Sequence, residues 1–406
     1  MSRISDISIS ISSGLTPLKS NDEYWNSNDI PWLKTEQLGQ YKIYDTNEFI
    51  SKKAFNDTSL KLYPVNTISV AMYGEGKTRG NVSILMNEMT TNQACCNIIV
   101  DKEKANHLYV YYWLKNSYLK LRALAAGVRK NLNSEDIKNF EIDIKDRETQ
   151  DNIASVLSVI DDKISNNNRI NAELESMAKT IYDYWFTQFD FPDENGKPYR
   201  ASGGAMVWNE QLKRNIPAGW TVDNLYAVAD YINGLACQNY RPDDDEHKLP
   251  VIKITEMHNG ITDSTEFVRD DIPEKYIIEN GDILFSWSAT LETMLWYGGR
   301  GGLNQHIFKV VPKAPKYFAY SQLSSYIINF KAIAEARKTT MGHITTDHME
   351  QSRIAIPPTI VQDAFNRQVT PLYEQFANNC KESLRLQALR NWLLPMLMNG
   401  QATISD

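Results

Sequence analysis

Residues 132–137 read Leu-Asn-Ser-Glu-Asp-Ile, and residues 344–349 read Ile-Thr-Thr-Asp-His-Met, 212 positions further along the chain. Both stretches have apolar ends around a polar, acidic middle. Three more pairs recur at the same spacing: Thr91-Asn92-Gln93 with Leu303-Asn304-Gln305, 148–151 with 360–363, and 166–169 with 378–381. A fixed self-similarity over this many positions indicates an internal duplication.

The spacing changes upstream of these pairs. Pro31–Lys34 matches Pro250–Lys253 at 219 positions, and Gly14-Leu15 matches Gly234-Leu235 at 220. The C-terminal part of each copy therefore keeps its length, whereas the part before it absorbs insertions.

Each copy is predicted to be an α+β globular part followed by a long helix. Short apolar runs between Gly, Asn and Pro are typical of strands and occur at 67–71, 97–100, 282–285 and 306–311. Helical patterns cover 105–124 and 317–337. We predict two similar α/β globular domains at 1–145 and 223–358, long helices at 146–188 and 359–406, and a Gly- and Pro-rich connector at 189–222.

Both long helices carry a heptad seam, typical of a coiled coil. Its apolar or small positions are Ile153, Leu157, Ile160, Ile164, Leu174, Ala178, Ile181 and Trp185 in the first helix, and Phe365, Val369, Leu372, Phe376, Leu386, Leu393 and Leu397 in the second. The matching polar positions are Asn167 and Asn171 in the first helix, and Asn379 and Ser383 in the second. Pro371 predicts a helix start, and therefore a break in the second helix.

Neither stripe can be buried by its own helix, so we expect the two helices to pack on each other. A pseudo-two-fold arrangement of the two copies would make them an antiparallel coiled coil, and the polar positions would select one register. The alternative is two separate amphipathic helices, each packed on its own domain.

The amino-acid composition excludes several classes of protein. The chain has 406 residues, 42% hydrophobic and 11% aromatic, which excludes a disordered or fibrous chain. Its 43 basic and 50 acidic residues argue against a simple polycationic nucleic-acid binder but leave room for a local basic surface. Without a signal-peptide pattern or a long apolar run, we expect a soluble, cytoplasmic protein with no membrane contact. The four cysteines (95, 96, 237 and 380) are expected to be buried free thiols.

No set of catalytic residues emerges from the sequence. Gly74-Glu-Gly-Lys-Thr78 resembles a phosphate-binding loop, but Ala71 stands where the first Gly is needed and strand-like residues follow, so a hairpin tip is predicted. The six histidines form no metalloprotease pattern, the acidic run 243–246 lacks the Gly and closing Glu of a calcium loop, and no nucleophile elbow occurs. We therefore predict a non-catalytic binding protein with no metal site.

Basic and hydrogen-bonding residues recur at turns in both copies. Arg suits guanine, Asn and Gln suit adenine, and Lys neutralises phosphate, so these residues are candidate DNA contacts. The candidates are Lys77, Thr78, Arg79, Asn92, Gln93, Arg129 and Lys130 in the first copy, and Ser286, Trp287, Ser288, Arg300, Asn304, Gln305, His306, Lys338 and His343 in the second.

Over its whole length the chain resembles the DNA-specificity subunit of type I restriction–modification enzymes. The most specific matches are 174–186 (LESMAKTIYDYWF), 204–213 (GAMVWNEQLK), 216–220 (IPAGW), 281–286 (GDILFS) and the segments that begin at Leu132 and Ile344. The resemblance implies two target-recognition domains, each reading one half of a bipartite double-stranded DNA target.

The same resemblance implies the partners. The helix pair would set the spacing and dock two methyltransferase subunits, which bind S-adenosylmethionine and methylate adenine, while this chain binds no cofactor. Motor-nuclease subunits would complete the enzyme. A helix of about 28 residues, from Val159 to Phe186, would span about 42 Å, on the order of one DNA turn. The alternative function is a protein-interaction scaffold that does not read DNA.

Overall fold

The computed structural model describes residues 1–74, 76–125, 131–262, 264–336 and 344–404. The chain divides into two compact units: unit 1 comprises Met1–Asn166 and Arg385–Asp406, and unit 2 comprises Asn167–Leu384. Within the described ranges, no helix is both long enough and apolar enough to cross a membrane.

The first half of the chain alternates short strands with short helices and ends in a long helix. Its strands are β1 (Ser2–Arg3), β2 (Ser8–Ser13), β3 (Ile30–Leu33), β4 (Lys42–Ile43), β5 (Glu48–Ile50), β6 (Ile68–Ala71), β7 (Val82–Leu85), β8 (Thr90–Thr91), β9 (Cys95–Val100) and β10 (Glu141–Ile142). Its helices are α1 (Lys52–Asp57), α2 (His107–Asn116), α3 (Tyr118–Ala123), α4 (Ser134–Lys138) and α5 (Arg147–Tyr182).

The second half repeats this alternation after a β-hairpin. Its strands are β11 (Met206–Asn209), β12 (Arg214–Pro217), β13 (Thr221–Asp223), β14 (Ala229–Asn233), β15 (Lys248–Ile252), β16 (Phe267–Arg269), β17 (Ile277–Ile278), β18 (Ile283–Ser286), β19 (Glu292–Leu295), β20 (Gly301–Leu303), β21 (Ile307–Pro312) and β22 (Ile354–Ile356). Its helices are α6 (Ile254–Asn259), α7 (Lys316–Ala336), α8 (Thr346–Glu350) and α9 (Thr359–Met398).

The sheets of the two units share a common core of strands, to which unit 1 adds β4 in its first sheet and unit 2 adds β17 in its second. Unit 1 contains the sheets β2-β9-β6-β7-β4 and β5-β3-β8, and unit 2 contains β14-β21-β18-β19 and β16-β15-β20-β17. In each second sheet one strand pair is parallel, β3 with β8 in unit 1 and β15 with β20 in unit 2. The predicted duplication and the mixed helix-and-sheet class are therefore confirmed, and all four predicted strands are present.

The recurring stretches that indicate the duplication form an equivalent element in each unit. In unit 1, Asn133 and Asp136 cap α4 reciprocally, each accepting the other's backbone N–H at 2.9 Å. In unit 2, His348 Nδ1 accepts the backbone N–H of Thr345 at 3.0 Å, before α8. Such capping boxes account for the shared polar middle of the two stretches, because the first backbone N–H groups of a helix lack partners within it.

A helix packs on the main sheet in each unit. In unit 1 the tyrosines of α2, Tyr109, Tyr111 and Tyr112, are fully buried with the β6 and β9 side chains. In unit 2, Phe318 and Phe330 of α7 are buried in one cluster with Phe285 of β18. These buried aromatic residues pack each helix on the main sheet of its unit.

Within unit 2, the polar seam positions of α5 and α9 meet directly. Asn379 Nδ2 donates to Asn171 Oδ1 at 2.9 Å, and Asn167 Nδ2 donates to Ser383 Oγ at 3.3 Å. The residue numbers rise along one helix as they fall along the other. The two segments therefore run in opposite directions in this unit.

Within unit 1, the other segments of α5 and α9 meet through charged groups. Arg390 donates to the buried Asp161 carboxylate at 2.6 Å. Tyr112 of α2 donates to the same carboxylate at 3.0 Å, so the globular part is bonded to the helix as well.

Two helix predictions need correction. The predicted helix 105–124 is two helices, α2 and α3, separated at Ser117. The break predicted at Pro371 is wrong, since α9 runs unbroken through it. Pro371 costs the helix one backbone hydrogen bond, but Val369 and Tyr373 on either side are buried in the unit 2 core, which favours a continuous helix.

Candidate nucleic-acid interface

Each unit presents a tight turn between the short parallel strand and the next strand of the main sheet. In unit 1 the Asn92 N–H donates to the Leu33 carbonyl at 2.9 Å, and its side-chain oxygen accepts the Ala94 N–H at 3.1 Å. In unit 2 the Asn304 N–H donates to the Ile252 carbonyl at 3.2 Å, and its side chain accepts the His306 N–H at 3.3 Å. The two asparagines thus build the turns, and the residues after them lie just before the first residues of β9 and β21.

A glycine brings a neighbouring strand end against each turn. A Cβ on Gly14 would lie 2.0 Å from the Thr91 carbonyl oxygen, and a Cβ on Gly234 would lie 2.2 Å from that of Asn304. The following residues make equivalent bonds, since Leu15 N–H donates to Thr91 and Leu235 N–H to Leu303, at 2.9 and 3.0 Å. Only glycine permits this close approach.

The unit 1 candidates lie on this turn and on a neighbouring hairpin loop. Lys77, Thr78 and Arg79 stand in the connection between β6 and β7, as the hairpin prediction required. Arg122 of α3 holds this loop by donating to the Arg79 and Gly76 carbonyls at 2.9 and 2.8 Å. Lys77 is exposed, and Thr78 and Arg79 are half-buried. The loop thus carries two basic side chains and is held in place by Arg122.

Gln93 is the exposed residue of the unit 1 turn, next to the half-buried Asn92. Its side-chain oxygen accepts a hydrogen bond from the Thr16 hydroxyl. Its amide is therefore oriented by a neighbour and still faces solvent.

The unit 2 candidates separate into exposed and buried groups. His306 is exposed, Trp287 and Gln305 are half-buried, and Asn304 is 8% exposed. Ser286 and Ser288 are buried, and the Ser286 hydroxyl donates to the Ser288 carbonyl at 3.2 Å. These two serines therefore shape the β18–β19 connection and present no side-chain surface to a base, which corrects their expected role as contacts.

Arg300 is exposed but ion-paired. Its Nε lies 3.2 Å from a Glu279 carboxylate oxygen, and its Nη2 lies 3.8 Å from one of Glu274. A phosphate would have to compete with both carboxylates for this guanidinium. The candidates Arg129, Lys130, Lys338 and His343 lie outside the described residues.

Matched backbone bonds establish which residues are equivalent in the two units. Met72 N–H donates to the Ala94 carbonyl in unit 1, as Trp287 N–H does to the His306 carbonyl in unit 2, at 2.8 and 3.4 Å. Trp287 therefore corresponds to Met72. The basic loop 77–79 has no counterpart in the β18–β19 connection of unit 2, which is shorter.

The charges are unevenly distributed between the two globular parts. Residues 1–145 contain 18 basic and 16 acidic residues, whereas residues 223–358 contain 13 basic and 18 acidic residues. The central helix region 146–188 adds 4 basic and 8 acidic residues. The acidic excess of the chain thus lies in the helix and the second globular part.

Asn233 was missed by sequence reasoning. It is exposed at the end of β14, and its side-chain oxygen accepts the Trp287 Nε1–H at 3.1 Å. The signal that could have found it is the recurrence of Gly14 as Gly234, which marks the preceding residue in each copy as the end of a strand lying against the turn.

The comparisons with known proteins agree with one another. The family model described as "Type I restriction modification DNA specificity domain" matches residues 1–176 and 217–385. The type I restriction enzyme MjaIX specificity subunit of Methanocaldococcus jannaschii is 27% identical, with 100% of this chain and 93% of that protein covered. The HindI specificity subunit of Haemophilus influenzae is 22% identical, with 70% and 74% covered.

A solved structure shares the fold. The S subunit of a type I restriction–modification system from M. genitalium aligns over 98% of this chain and 95% of its own, with a TM-score of 0.55 at 16% identity.

Proposed function

The chain belongs to the family of type I restriction modification DNA specificity domains, and from this membership we propose how its parts divide the work of DNA recognition. Its role is DNA sequence specificity in a type I restriction–modification system. Each globular part reads one half of a bipartite double-stranded target. The observation that carries this proposal is the asparagine turn of Asn92 and Asn304, built by equivalent bonds in both units.

The candidate residues fall into two roles. The turn residues Gln93, Gln305 and His306 are suited to base edges, and the basic loop residues Lys77 and Arg79 are suited to phosphates. Thr78 supports that loop through its carbonyl, which accepts the Asn81 N–H at 3.0 Å. Trp287 packs against His306, while Asn92 and Asn304 build the turns. Arg129, Lys130, Lys338 and His343 stay predictions for the same surfaces.

The two long helices form an antiparallel coiled coil that sets the spacing of the half-sites. The opposed contacts of Asn171 with Asn379 in unit 2 and of Asp161 with Arg390 in unit 1 support this arrangement. Because a helix rises 1.5 Å per residue, the length of the helix pair sets the number of base pairs between the two half-sites. The helix pair also docks two methyltransferase subunits.

This chain contributes recognition and no catalysis. The methyltransferase partners bind S-adenosylmethionine and methylate adenine, and motor-nuclease subunits complete the endonuclease. A scaffold that ignores DNA sequence is disfavoured, because the family match covers both globular parts and describes a DNA specificity domain.

Domain exchange tests the proposal. Residues 1–145 are replaced by the corresponding part of another family member, and methylated adenines are mapped genome-wide in cells that also produce the partners. We expect one half of the methylated sequence to change and the other half and the gap to persist. Changes in both halves, or methylation without a bipartite sequence, would contradict it.

A further inference from the structure

An exposed asparagine, Asn233, lies beside the unit 2 turn and is held there from two directions. Along the backbone it pairs with Phe308 of β21, and the next N–H, of Gly234, donates to the Ile307 carbonyl at 3.1 Å. From the side, Trp287 Nε1 donates to its Oδ1 at 3.1 Å. The amide group is thus oriented before any ligand arrives.

The tryptophan that orients Asn233 is itself fixed by packing. Its ring centroid lies 6.0 Å from that of Phe308 and 5.8 Å from that of His306. Its backbone carbonyl accepts the Ile344 N–H at 3.1 Å. A polar group supported by a packed aromatic ring keeps one geometry, as selective recognition requires.

The chemistry of this cluster suits bases better than phosphates. Asn233, at the end of β14, and Gln305 and His306, just before β21, offer two amide groups and an imidazole, and neither amide carries a charge. The surrounding residues 223–358 are net acidic, with 18 acidic against 13 basic residues, so this part of the chain contributes little phosphate neutralisation. Uncharged amides in a fixed position pair bidentately with adenine in the major groove.

We propose that Asn233 is a specificity-determining residue of unit 2 that contacts a base, with Trp287 as its positioning residue. This inference rests on the proposed function and names one contact of that same surface. Among the residues that the structure describes, Trp287 is the one hydrogen-bond partner of the Asn233 side chain. Its Nδ2 group and the second lone pair of its Oδ1 can therefore pair with a base, because a carbonyl oxygen accepts two hydrogen bonds.

The equivalent place in unit 1 carries different chemistry on the same frame. Ser13 pairs with Cys96 as Asn233 pairs with Phe308, and Met72 and Ala94 occupy the positions of Trp287 and His306. Unit 1 therefore lacks the amide, the indole N–H and the imidazole at these three positions. One backbone frame with exchanged side chains explains how two copies of a fold read different half-sites.

The test uses the full chain assembled with its methyltransferase partners. Asn233→Ala is compared with Asn239→Ala, another exposed asparagine of unit 2, and methylated adenines are mapped in cells. We expect Asn233→Ala to relax one position of one half-site, with a loss of discrimination between about fivefold and a hundredfold. Trp287→Phe, which keeps the ring and removes the N–H, should give a smaller loss at the same position, and Asn239→Ala should give none.

A second variant assigns the half-site. Gln93→Ala, in unit 1, should alter the other half of the target. Two outcomes would overturn the proposal for Asn233 and leave the proposed function standing. In the first, Asn233→Ala discriminates between bases within twofold of wild type. In the second, it relaxes the same half-site that Gln93→Ala alters. Absence of any bipartite sequence in the wild type would instead refute the proposed function.

Discussion

Asn379 donates a hydrogen bond from Nδ2 to Oδ1 of Asn171 at 2.9 Å, and both side chains are at least nine-tenths buried. The neighbouring pair, Asn167 with Ser383 at 3.3 Å, is the same pair with the two copies exchanged. Asn379 is the repeat of Asn167, and Ser383 is the repeat of Asn171. If each residue is replaced by its repeat in the other copy, the Asn171–Asn379 contact becomes the Ser383–Asn167 contact. The contact between the two helices therefore has the symmetry of the duplication.

Removing one partner of the Asn171–Asn379 pair should destabilise the protein. Asn379→Leu leaves the Asn171 oxygen without this donor and should lower the free energy of unfolding by about 1–3 kcal/mol. The matched control is Asn378→Leu, one residue away and exposed, with an expected change within about 0.5 kcal/mol. Urea unfolding of the purified chain measures both.

The double variant Asn171→Leu with Asn379→Leu should recover most of that loss, because two apolar groups can pack where two amides met. An unfolding midpoint for Asn379→Leu equal to that of the control would show that the amide pair contributes nothing.

The contribution of Lys115 to the free energy of unfolding should increase as the pH rises above 8. Burial lowers the pKa of Lys115 to about 8, although Asp161, 3.8 Å away, opposes the shift. The unfolded chain then binds more protons than the folded chain between about pH 8 and pH 10.4, so the free energy of unfolding increases with pH in that interval.

Lys115→Met removes this dependence. The stability of wild type minus that of the variant should increase from pH 7.5 to pH 9.5, with a slope of at most about 1.4 kcal/mol per pH unit. Lys120→Met, at an exposed lysine nearby, serves as control. A difference that stays constant or decreases with pH would contradict the shift.

Replacing Lys77 or Arg300 by alanine should weaken DNA binding. Lys77→Ala should weaken binding of the assembled complex and reduce the dependence of log K on log salt by about one, because one phosphate contact is lost. Arg300→Ala should change the slope by less than one, because Glu279 lies 3.2 Å from its guanidinium and competes with phosphate for it. Binding titrations over a series of salt concentrations measure both slopes. A slope that Lys77→Ala leaves unchanged would contradict its phosphate contact, and a change of a full unit for Arg300→Ala would contradict the competition by Glu279.

A heptad inserted into both helices should lengthen the unread gap. The facing positions follow Glu175 and Gln375, four residues beyond and four before the Asn171–Asn379 pair. Seven residues add about 10.5 Å, or about three base pairs at 3.4 Å each. Methylome mapping measures the gap, and insertion in one helix alone, which offsets the seam, is the control. If the gap between the half-sites is unchanged with both insertions, helix length does not set that gap.

Sequence patterns were informative where local chemistry and structure coincide. Strands such as β9 and β21 were found because a short apolar run between turn residues has few other stable arrangements. The duplication was visible because residues with fixed structural duties, such as Gly14 and Gly234, recur where the chain passes close to itself. The helix seam likewise placed Asn171 and Asn379 at polar positions.

Residue type at a turn did not by itself distinguish residues suited to contact DNA from residues that stabilise the turn. Ser286 and Asn304 looked like surface hydrogen-bonding residues, yet one is buried under a hairpin connection and the other builds a turn. A side chain's exposure depends on segments far away in the chain, which composition and spacing do not report. Asn233 was missed for the same reason, since its partner Trp287 lies 54 residues away.

By itself, the amino-acid sequence determined that this protein is a globular α+β part and a long helix written twice, because repeats and heptads are local and periodic. Only the tertiary structure decided which helix positions meet, that Pro371 lies within a continuous helix, and which turn residues face solvent. Those outcomes depend on packing between distant segments, where burial of neighbouring side chains outweighs the preference of a single residue.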